Sequence, residues 1–328
     1  MIGVIKGTGA CLPEKILDNN TLSQWMDTSD EWIKERTGIK TRHVVENETT
    51  VSMAAEAAKR ALENAGVDAE EIDLIIVSTV SSNVVLPSTA CEVQKSIGAV
   101  NAVSFDLNAA CTGFLFALNT AQTYFYANLI KKALIIGAES LSNLMDWGDR
   151  STAILFGDGA GAVVMTAEEG EFPAMVMHSD GAKGNVLTCR SRFLKGGITQ
   201  DTHSEDLYIR MNGQEVFKFA VRQVPRCIEE LLEKCRMTAD EIDYYILHQA
   251  NERIVESIAK RLKADISRFP MNLMNYGNTS SASMPILLDE VNRKGMLKKG
   301  MKLVLAGFGA GLTWGAAYME WAAAGADN

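Results

Sequence analysis

Three residues far apart in the chain have the types and settings that covalent catalysis needs. Cys111 stands in Leu107-Asn-Ala-Ala-Cys-Thr-Gly-Phe114, where an apolar run ends and a helical pattern of Phe114, Leu115 and Leu118 begins. A thiol at a helix start feels the positive end of the dipole, which favours the thiolate, the nucleophilic form. The same setting also suits a small buried apolar cysteine. His248 closes an apolar run in Tyr245-Ile-Leu-His248, the strand end where α/β sheets build ligand sites, although a rim histidine would look alike. Asn278 lies in Gly277-Asn-Thr-Ser-Ser-Ala-Ser283, a loop that predicts a helix start near Ala282, and a plain turn asparagine fits too. Ala306-Gly-Phe-Gly-Ala310 and the glycines after it could aim backbone N–H groups at an oxyanion, or could form a tight hairpin.

A duplication explains how such distant residues can meet. Ala69-Glu-Glu-Ile-Asp-Leu-Ile-Ile-Val-Ser78 returns 170 residues later as Ala239-Asp-Glu-Ile-Asp-Tyr-Tyr-Ile-Leu-His248. Lys131-Lys-Ala-Leu-Ile-Ile-Gly137 parallels Lys299-Gly-Met-Lys-Leu-Val-Leu305 at almost the same offset. Each copy of the first match follows a helical stretch, Met53 to Ala65 and about Glu215 to Lys234. Helices alternate with apolar runs such as 75–80, 102–107 and 134–137. That pattern predicts an α/β fold of two similar halves, with sheets buried on both faces around a central helix layer.

Composition narrows the classes of function. The chain has 328 residues, 47% of them hydrophobic, and a net charge of -9, which argues against non-specific nucleic-acid binding. Six cysteines show no Cys-x-x-Cys pair and no metal spacing with His, so no metal site is expected. No signal-peptide pattern and no run of ~20 apolar residues is present, which predicts a cytoplasmic protein with reduced thiols and no membrane partner. Phe156-Gly-Asp-Gly-Ala-Gly-Ala162 looks superficially like a dinucleotide loop, but it lies between apolar strand-like runs with no helix following.

Taken together, Ala110-Cys-Thr-Gly-Phe114, Phe156-Gly-Asp-Gly-Ala-Gly161, His248-Gln-Ala-Asn251, Gly277-Asn-Thr-Ser280 and Gly311-Leu-Thr-Trp-Gly315 resemble the beta-ketoacyl-acyl-carrier-protein synthase III family of the thiolase-like superfamily. The resemblance spans nearly the whole chain in matching order and spacing. It implies a five-layer αβαβα fold of duplicated halves, residues 1–172 carrying the cysteine and 173–328 carrying the histidine and asparagine, in a homodimer. It also implies a ping-pong initiation of fatty acid synthesis: an acyl-CoA primer acylates Cys111, then malonyl-carrier protein loses carbon dioxide and its carbanion attacks the acyl thioester. No prosthetic group is implied; coenzyme A enters as a thioester substrate.

On this resemblance, His248 and Asn278 donate hydrogen bonds to the enolate, and the N–H groups of Cys111 and Ala310 hold the oxygen of the acyl-cysteine. Many relatives have Gly where this chain has Ala310. Thr28, Trp32, Arg36, Arg150, Gly213, Phe217 and Asn251 map to the coenzyme A site, with Trp32 and Arg150 sandwiching the adenine. Leu86, Leu141, Phe156, Leu187 and Ile209 map to the primer pocket, and a leucine at 86, where some relatives have Phe, would admit longer or branched primers. Lys218, Arg253, Lys260 and Arg261 map to a basic patch for the acidic carrier protein, a local feature compatible with an acidic chain.

Other readings predict different residues. A degradative thiolase needs a second cysteine in the C-terminal half, and 307–315 holds none; elongating synthases use Cys-His-His, whereas this chain offers Asn278. Plant-type polyketide synthases share Cys-His-Asn but are usually longer. A starter synthase for a specialised polyketide or long-chain product keeps all three residues. A silent acyl- or CoA-binding protein needs none of them, and a nicotinamide oxidoreductase would bind NAD.

Overall fold

A computed structural model describes residues 1–190 and 207–323. Two sheets carry the fold. The first has the strand order Ile2–Cys11, Gly159–Glu168, Lys132–Glu139, Leu74–Ser78 and Val103–Leu107. The second runs Tyr244–Leu247, Lys302–Gly309, Thr313–Glu320 and Met175–Ser179. Leu74–Ser78 pairs in parallel with both neighbours, and Tyr244–Leu247 pairs in parallel with Lys302–Gly309. The expected continuous apolar strands are present: every residue of Leu74–Ser78 is buried. Each expected strand lies within one or two residues of its run at either end, the run at 134–137 extending to Lys132–Glu139.

The repeat is visible atom by atom. Asp68 and Thr238 each open a 3-10 turn, Ala69–Glu71 and Ala239–Glu241, closed by a capping box with the glutamate three residues on. Asp73 then accepts the Lys132 N–H at 2.9 Å, and Asp243 accepts the Lys302 N–H at 2.7 Å, pinning the next strand to each copy.

Helices Gly113–Tyr126 and Ser283–Arg293 form the layer between the sheets, and both touch strands of each sheet. Their buried faces, including Phe114, Leu118, Phe125, Leu287 and Val291, belong to one apolar cluster with Ile76, Ile135, Ile246 and Leu305 from the two sheets. Thr50–Ala65 covers the outer face of the first sheet, while Gly213–Cys235 and Glu252–Leu262 cover that of the second. The long helix continues through Pro225, which is buried inside it, although proline removes a helical hydrogen bond. The layers therefore read helix, sheet, helix, sheet, helix.

The contact between the sheets and the middle layer leaves no slack. A Cβ at Gly137 would lie 2.3 Å from the carbonyl oxygen of Ser281 and 3.0 Å from the Cα of Ala282, both backbone atoms. Gly137→Ala is accordingly expected to cost about 3 kcal/mol, because backbone cannot move aside as a flexible side chain can. Urea unfolding checks it; a loss under 0.5 kcal/mol would show the layers to be loosely apposed.

Candidate active site

Cys111 sits in a short 3-10 turn, Ala110–Thr112, and the α-helix starts two residues later at Gly113. The turn opens on Ala110 at φ 47°, a left-handed conformation unfavourable for alanine. Hydrogen bonds hold it: Ala110 N–H donates to Asn108 Oδ1 at 3.2 Å, and Thr112 Oγ1 donates to the Ala109 carbonyl at 2.7 Å. Thr112 also meets Thr313 Oγ1 at 2.6 Å, tying the turn to the glycine-rich hairpin beside Ala310.

The second turn, Ser280–Ala282, has the same form and begins on Ser280 at φ 51°. Asn278 precedes it. Its main chain is clamped, with N–H donated to Leu155 O at 2.8 Å and its carbonyl accepting from Gly157 at 3.1 Å. Its Oδ1 accepts the Ser280 N–H at 2.8 Å, which leaves the Nδ2 amide group as the donor end of the side chain. His248 continues the strand Tyr244–Leu247 by donating its N–H to Ala306 O at 2.9 Å.

Two glycines of one strand bring Cys111 and His248 together. A Cβ at Gly307 would lie 3.2 Å from the His248 Cβ, and one at Gly309 would lie 2.8 Å from the Cys111 nitrogen. Positions two apart share one face of a strand, about 7 Å from each other, so both residues sit over the same bare stretch. Cys111, His248 and Asn278 are all buried, at 6%, 3% and 7% exposure. The Phe308 ring meets the imidazole edge-on, centroids 5.4 Å apart.

Burial sets the electrostatics. It pushes the Cys111 thiol up to about 12, with the Glu139 carboxylate adding to the rise, while the Ser280 hydroxyl and the residue's own N–H pull the other way. Burial therefore opposes the thiolate that the helix start is expected to favour. Burial also pushes His248 down to about 3, so its ring is neutral at physiological pH. The resting site is uncharged at both groups.

Glu139 was not singled out from sequence. It closes the strand Lys132–Glu139, is fully buried, and accepts Ser81 Oγ at 2.6 Å, Ser281 Oγ at 2.8 Å and the Val80 N–H at 3.1 Å. Burial raises its pKa against those donors. An acid ending a wholly apolar run was the available signal.

A cavity of about 1740 Å³ opens over Cys111, and its walls include Leu141, Phe156, Leu187, Ile209 and Ala310. Leu141, Phe156 and Ile209 form one small apolar cluster, with Leu187 packed against it. Leu86 does not belong with them. It is 83% exposed on the loop before Pro87 and lines no part of this cavity, so as a wall of this chain's own pocket it is corrected. Its neighbours Val84 and Val85 do reach the cavity.

The residues mapped to coenzyme A lie on helices and on the loops that lead into them. Trp32 faces two guanidinium groups, Arg36 at 4.3 Å and Arg150 at 5.0 Å from the ring centre. A ring held between Trp32 and Arg150 needs about 7 Å, two contacts of ~3.5 Å, so the pair is closed and Arg150 must swing outward to admit one. Arg150 is exposed and donates to the Asp27 carbonyl at 2.5 Å. Thr28 Oγ1 is buried with no partner. Asn251 is committed to structure: it caps Glu252–Leu262 through the Arg253 N–H and donates to Arg36 O at 2.9 Å. Gly213 is exposed at a helix start, and Phe217 packs against the second outer core.

Lys218, Arg253, Lys260 and Arg261 are all exposed. Lys218 pairs with Glu215 at 2.9 Å and Arg253 lies 5.8 Å from the Phe217 ring, while Lys260 and Arg261 end the last turn of Glu252–Leu262. Among the described residues no cluster of three metal-ligating side chains occurs, and no helix is long and apolar enough to cross a membrane.

The layered architecture and the buried cysteine at a strand-to-helix turn define a condensing enzyme of the thiolase-like class. Residues 105–181 match the family described as 3-oxoacyl-[acyl-carrier-protein (ACP)] synthase III, and residues 232–321 match its C-terminal counterpart. A beta-ketoacyl-[acyl-carrier-protein] synthase III of Clostridium acetobutylicum is 48% identical over 97% of this chain and 98% of its own length. The crystal structure of the Aquifex aeolicus synthase III superposes with a TM-score of 0.91 at 42% identity, over 97% of this chain and all of that one. The priming beta-ketosynthase of the R1128 polyketide pathway also gives 0.91, at 34% identity over 98% and 97% of the two chains. The chain belongs to the 3-oxoacyl-[acyl-carrier-protein] synthase III family, and it is an acyltransferase of fatty acid biosynthesis.

The depressed His248 makes a stability prediction. Its folded pKa lies below the unfolded value of 6.5, so the unfolded chain alone takes up the proton as pH falls. Between pH 7 and 5 the fold is expected to lose about 2 kcal/mol through this one group. Urea midpoints of the wild type and His248→Asn should diverge by that amount; parallel pH profiles would place a charged imidazole in the folded state.

Proposed function

We propose that this chain joins an acyl group from an acyl-CoA to a malonyl unit carried on an acyl carrier protein, with Cys111, His248 and Asn278 as the reacting constellation. In the first half-reaction the Cys111 sulfur attacks the acyl-CoA carbonyl. The acyl–sulfur bond to coenzyme A breaks, and the proton lost by the thiol ends on the departing coenzyme A sulfur. A thiol near 12 needs that coupled transfer, because little thiolate is present at rest. The N–H groups of Cys111 and Ala310 would hold the oxygen as charge gathers there.

In the second half-reaction malonyl-carrier protein loses carbon dioxide. The electron pair passes to the thioester as an enolate, and its carbon attacks the acyl-cysteine carbonyl. The carbon–sulfur bond to Cys111 breaks, leaving a thiolate that regains a proton from water. A neutral His248 N–H and the Asn278 Nδ2 suit this step, since donors fixed in a buried site favour an enolate without reorganising. The observation that carries the reading is the placement of Cys111 and His248 over one bare strand face, with the amide NH2 of Asn278 beside the adjoining turn.

The partners follow from surface features. Arg253, Lys260 and Arg261 have no ion pair among the described residues, which suits an acidic carrier protein docking beside Glu252–Leu262. Val103–Leu107 is an edge strand of the first sheet, with Val103 64% exposed, and Val84, Val85 and Leu86 project at 43%, 73% and 83%. An uncovered edge beside exposed apolar side chains favours pairing with a second copy. In such a homodimer Leu86 would meet the partner, and its influence on primer length would be exerted there. The division at 172/173 and a cytoplasmic location belong to the same reading.

Incubation with acyl-CoAs of two to ten carbons, straight and branched, followed by mass spectrometry of the intact protein, tests it. One acyl adduct is expected, absent in Cys111→Ala, with branched primers accepted as well as acetyl. An adduct surviving Cys111→Ala would sink the nucleophile, and strict preference for acetyl would sink the Leu86 proposal. Likeness to a priming ketosynthase makes a specialised starter role the second reading, distinguished by transfer to a polyketide carrier protein in preference to a fatty acid one.

A further inference from the structure

We propose that Ser283 fixes His248 in the tautomer that carries its proton on Nε2, making Ser283 a positioning residue for the second half-reaction; this rests on the role given to His248 above. Ser283 is the first residue of the helix Ser283–Arg293, and its Oγ lies 2.7 Å from His248 Nδ1. The same oxygen accepts the Gln249 N–H at 3.3 Å. All three residues are buried, at 2%, 3% and 1% exposure for Ser283, His248 and Gln249.

The proton count then decides the tautomer. A hydroxyl has one proton to give, and a backbone N–H can only donate, so Gln249 occupies a lone pair of Oγ. Among the described residues His248 Nδ1 is the one remaining hydrogen-bond partner of that oxygen. The 3-10 turn before it places the carbonyls of Thr279 and Ser280 four and three residues back, but among the described residues Oγ makes no hydrogen bond to either. If Nδ1 carried a proton, Oγ would accept twice and its own proton would be buried with no acceptor, which is costly. Nδ1 is therefore the acceptor. The ring is neutral through burial, so the single imidazole proton sits on Nε2.

The duplication shows that the fold itself does not require this hydroxyl. At the same offset of 170, His248 corresponds to Ser78 and Ser283 to Gly113. There a Cβ would lie 1.8 Å from Ser78 Oγ, which has no hydrogen-bond partner among the described residues. One copy of the turn thus starts its helix with glycine, and the copy facing His248 starts with a hydroxyl.

Nitrogen-15 histidine NMR on the full chain tests the assignment directly, since only four histidines are present and His248→Asn identifies the signal. The wild type is expected to show an unprotonated Nδ1 and a protonated Nε2. A protonated Nδ1 in the wild type would overturn the proposal whatever any variant does. Ser283→Ala is expected to mix the tautomers and to slow condensation with malonyl-carrier protein by about tenfold or more, the direction seen when a catalytic histidine loses its tautomer partner. Acylation of Cys111 by acyl-CoA should change less than about twofold on the same scale, and Ser283→Thr should restore condensation. Equal slowing of both steps, or an unmixed tautomer in Ser283→Ala, would contradict the positioning role. If His248→Ala left carbon dioxide release intact, the parent mechanism would fail instead, and the NMR result would still decide the tautomer.

Discussion

The site depends on the meeting of two turns, Ala110–Thr112 and Ser280–Ala282, at the junction of the two sheets. Each begins on a non-glycine residue in the left-handed region, which a free peptide would avoid. Each stays there because its neighbours are committed: Thr112 to Thr313, Ser280 to Asn278, Ser281 to Glu139 and to the Ser78 carbonyl at 2.9 Å. Moving either turn would shift a nucleophile or an enolate donor. Central helices that start at these turns carry the largest apolar cluster, so core packing holds the site in register.

Chemistry at this junction works from neutrality. Desolvation raises the thiol and lowers the imidazole, so neither ionises at rest. Such a site favours charge only when a substrate brings it, and in the proposed reaction that is the carboxylate of a malonyl unit. The proposed donors would then meet the enolate in a medium where each hydrogen bond counts for more than in water. Glu139, a carboxyl held by hydroxyl and amide donors behind Cys111, is likewise pushed by burial toward its neutral form, and any charge on it opposes a resting thiolate.

Much of this was legible in the sequence. The repeat ending in Ser78 and His248 pointed to the strands and to helices alternating with sheet, because continuous apolar runs are local signals, while the five-layer order followed from the family resemblance. Cys111, His248 and Asn278 each stood at an element end, where a structural role fitted as well, and their combination in the family's motifs singled them out as candidates. Less legible were properties that depend on what surrounds a side chain. The dipole argument for Cys111 left out burial, which opposes it and cannot be read from its neighbours in sequence. Leu86 was assigned to a wall it does not form, since a residue beside a proline can face inward or outward with the same letters. Glu139 and Ser283 became visible only when residues 58 and 35 positions away closed on them.

The division of labour between the thiol and the two donors is the central claim, and carbon dioxide release separates them. Malonyl-carrier protein supplied to Cys111→Ala should still lose carbon dioxide, because the enolate forms without the nucleophile. Adding His248→Ala should cut that release by about a hundredfold or more, the usual loss of one oxyanion donor. Release that needs Cys111, or that survives the loss of both His248 and Asn278, would contradict the account.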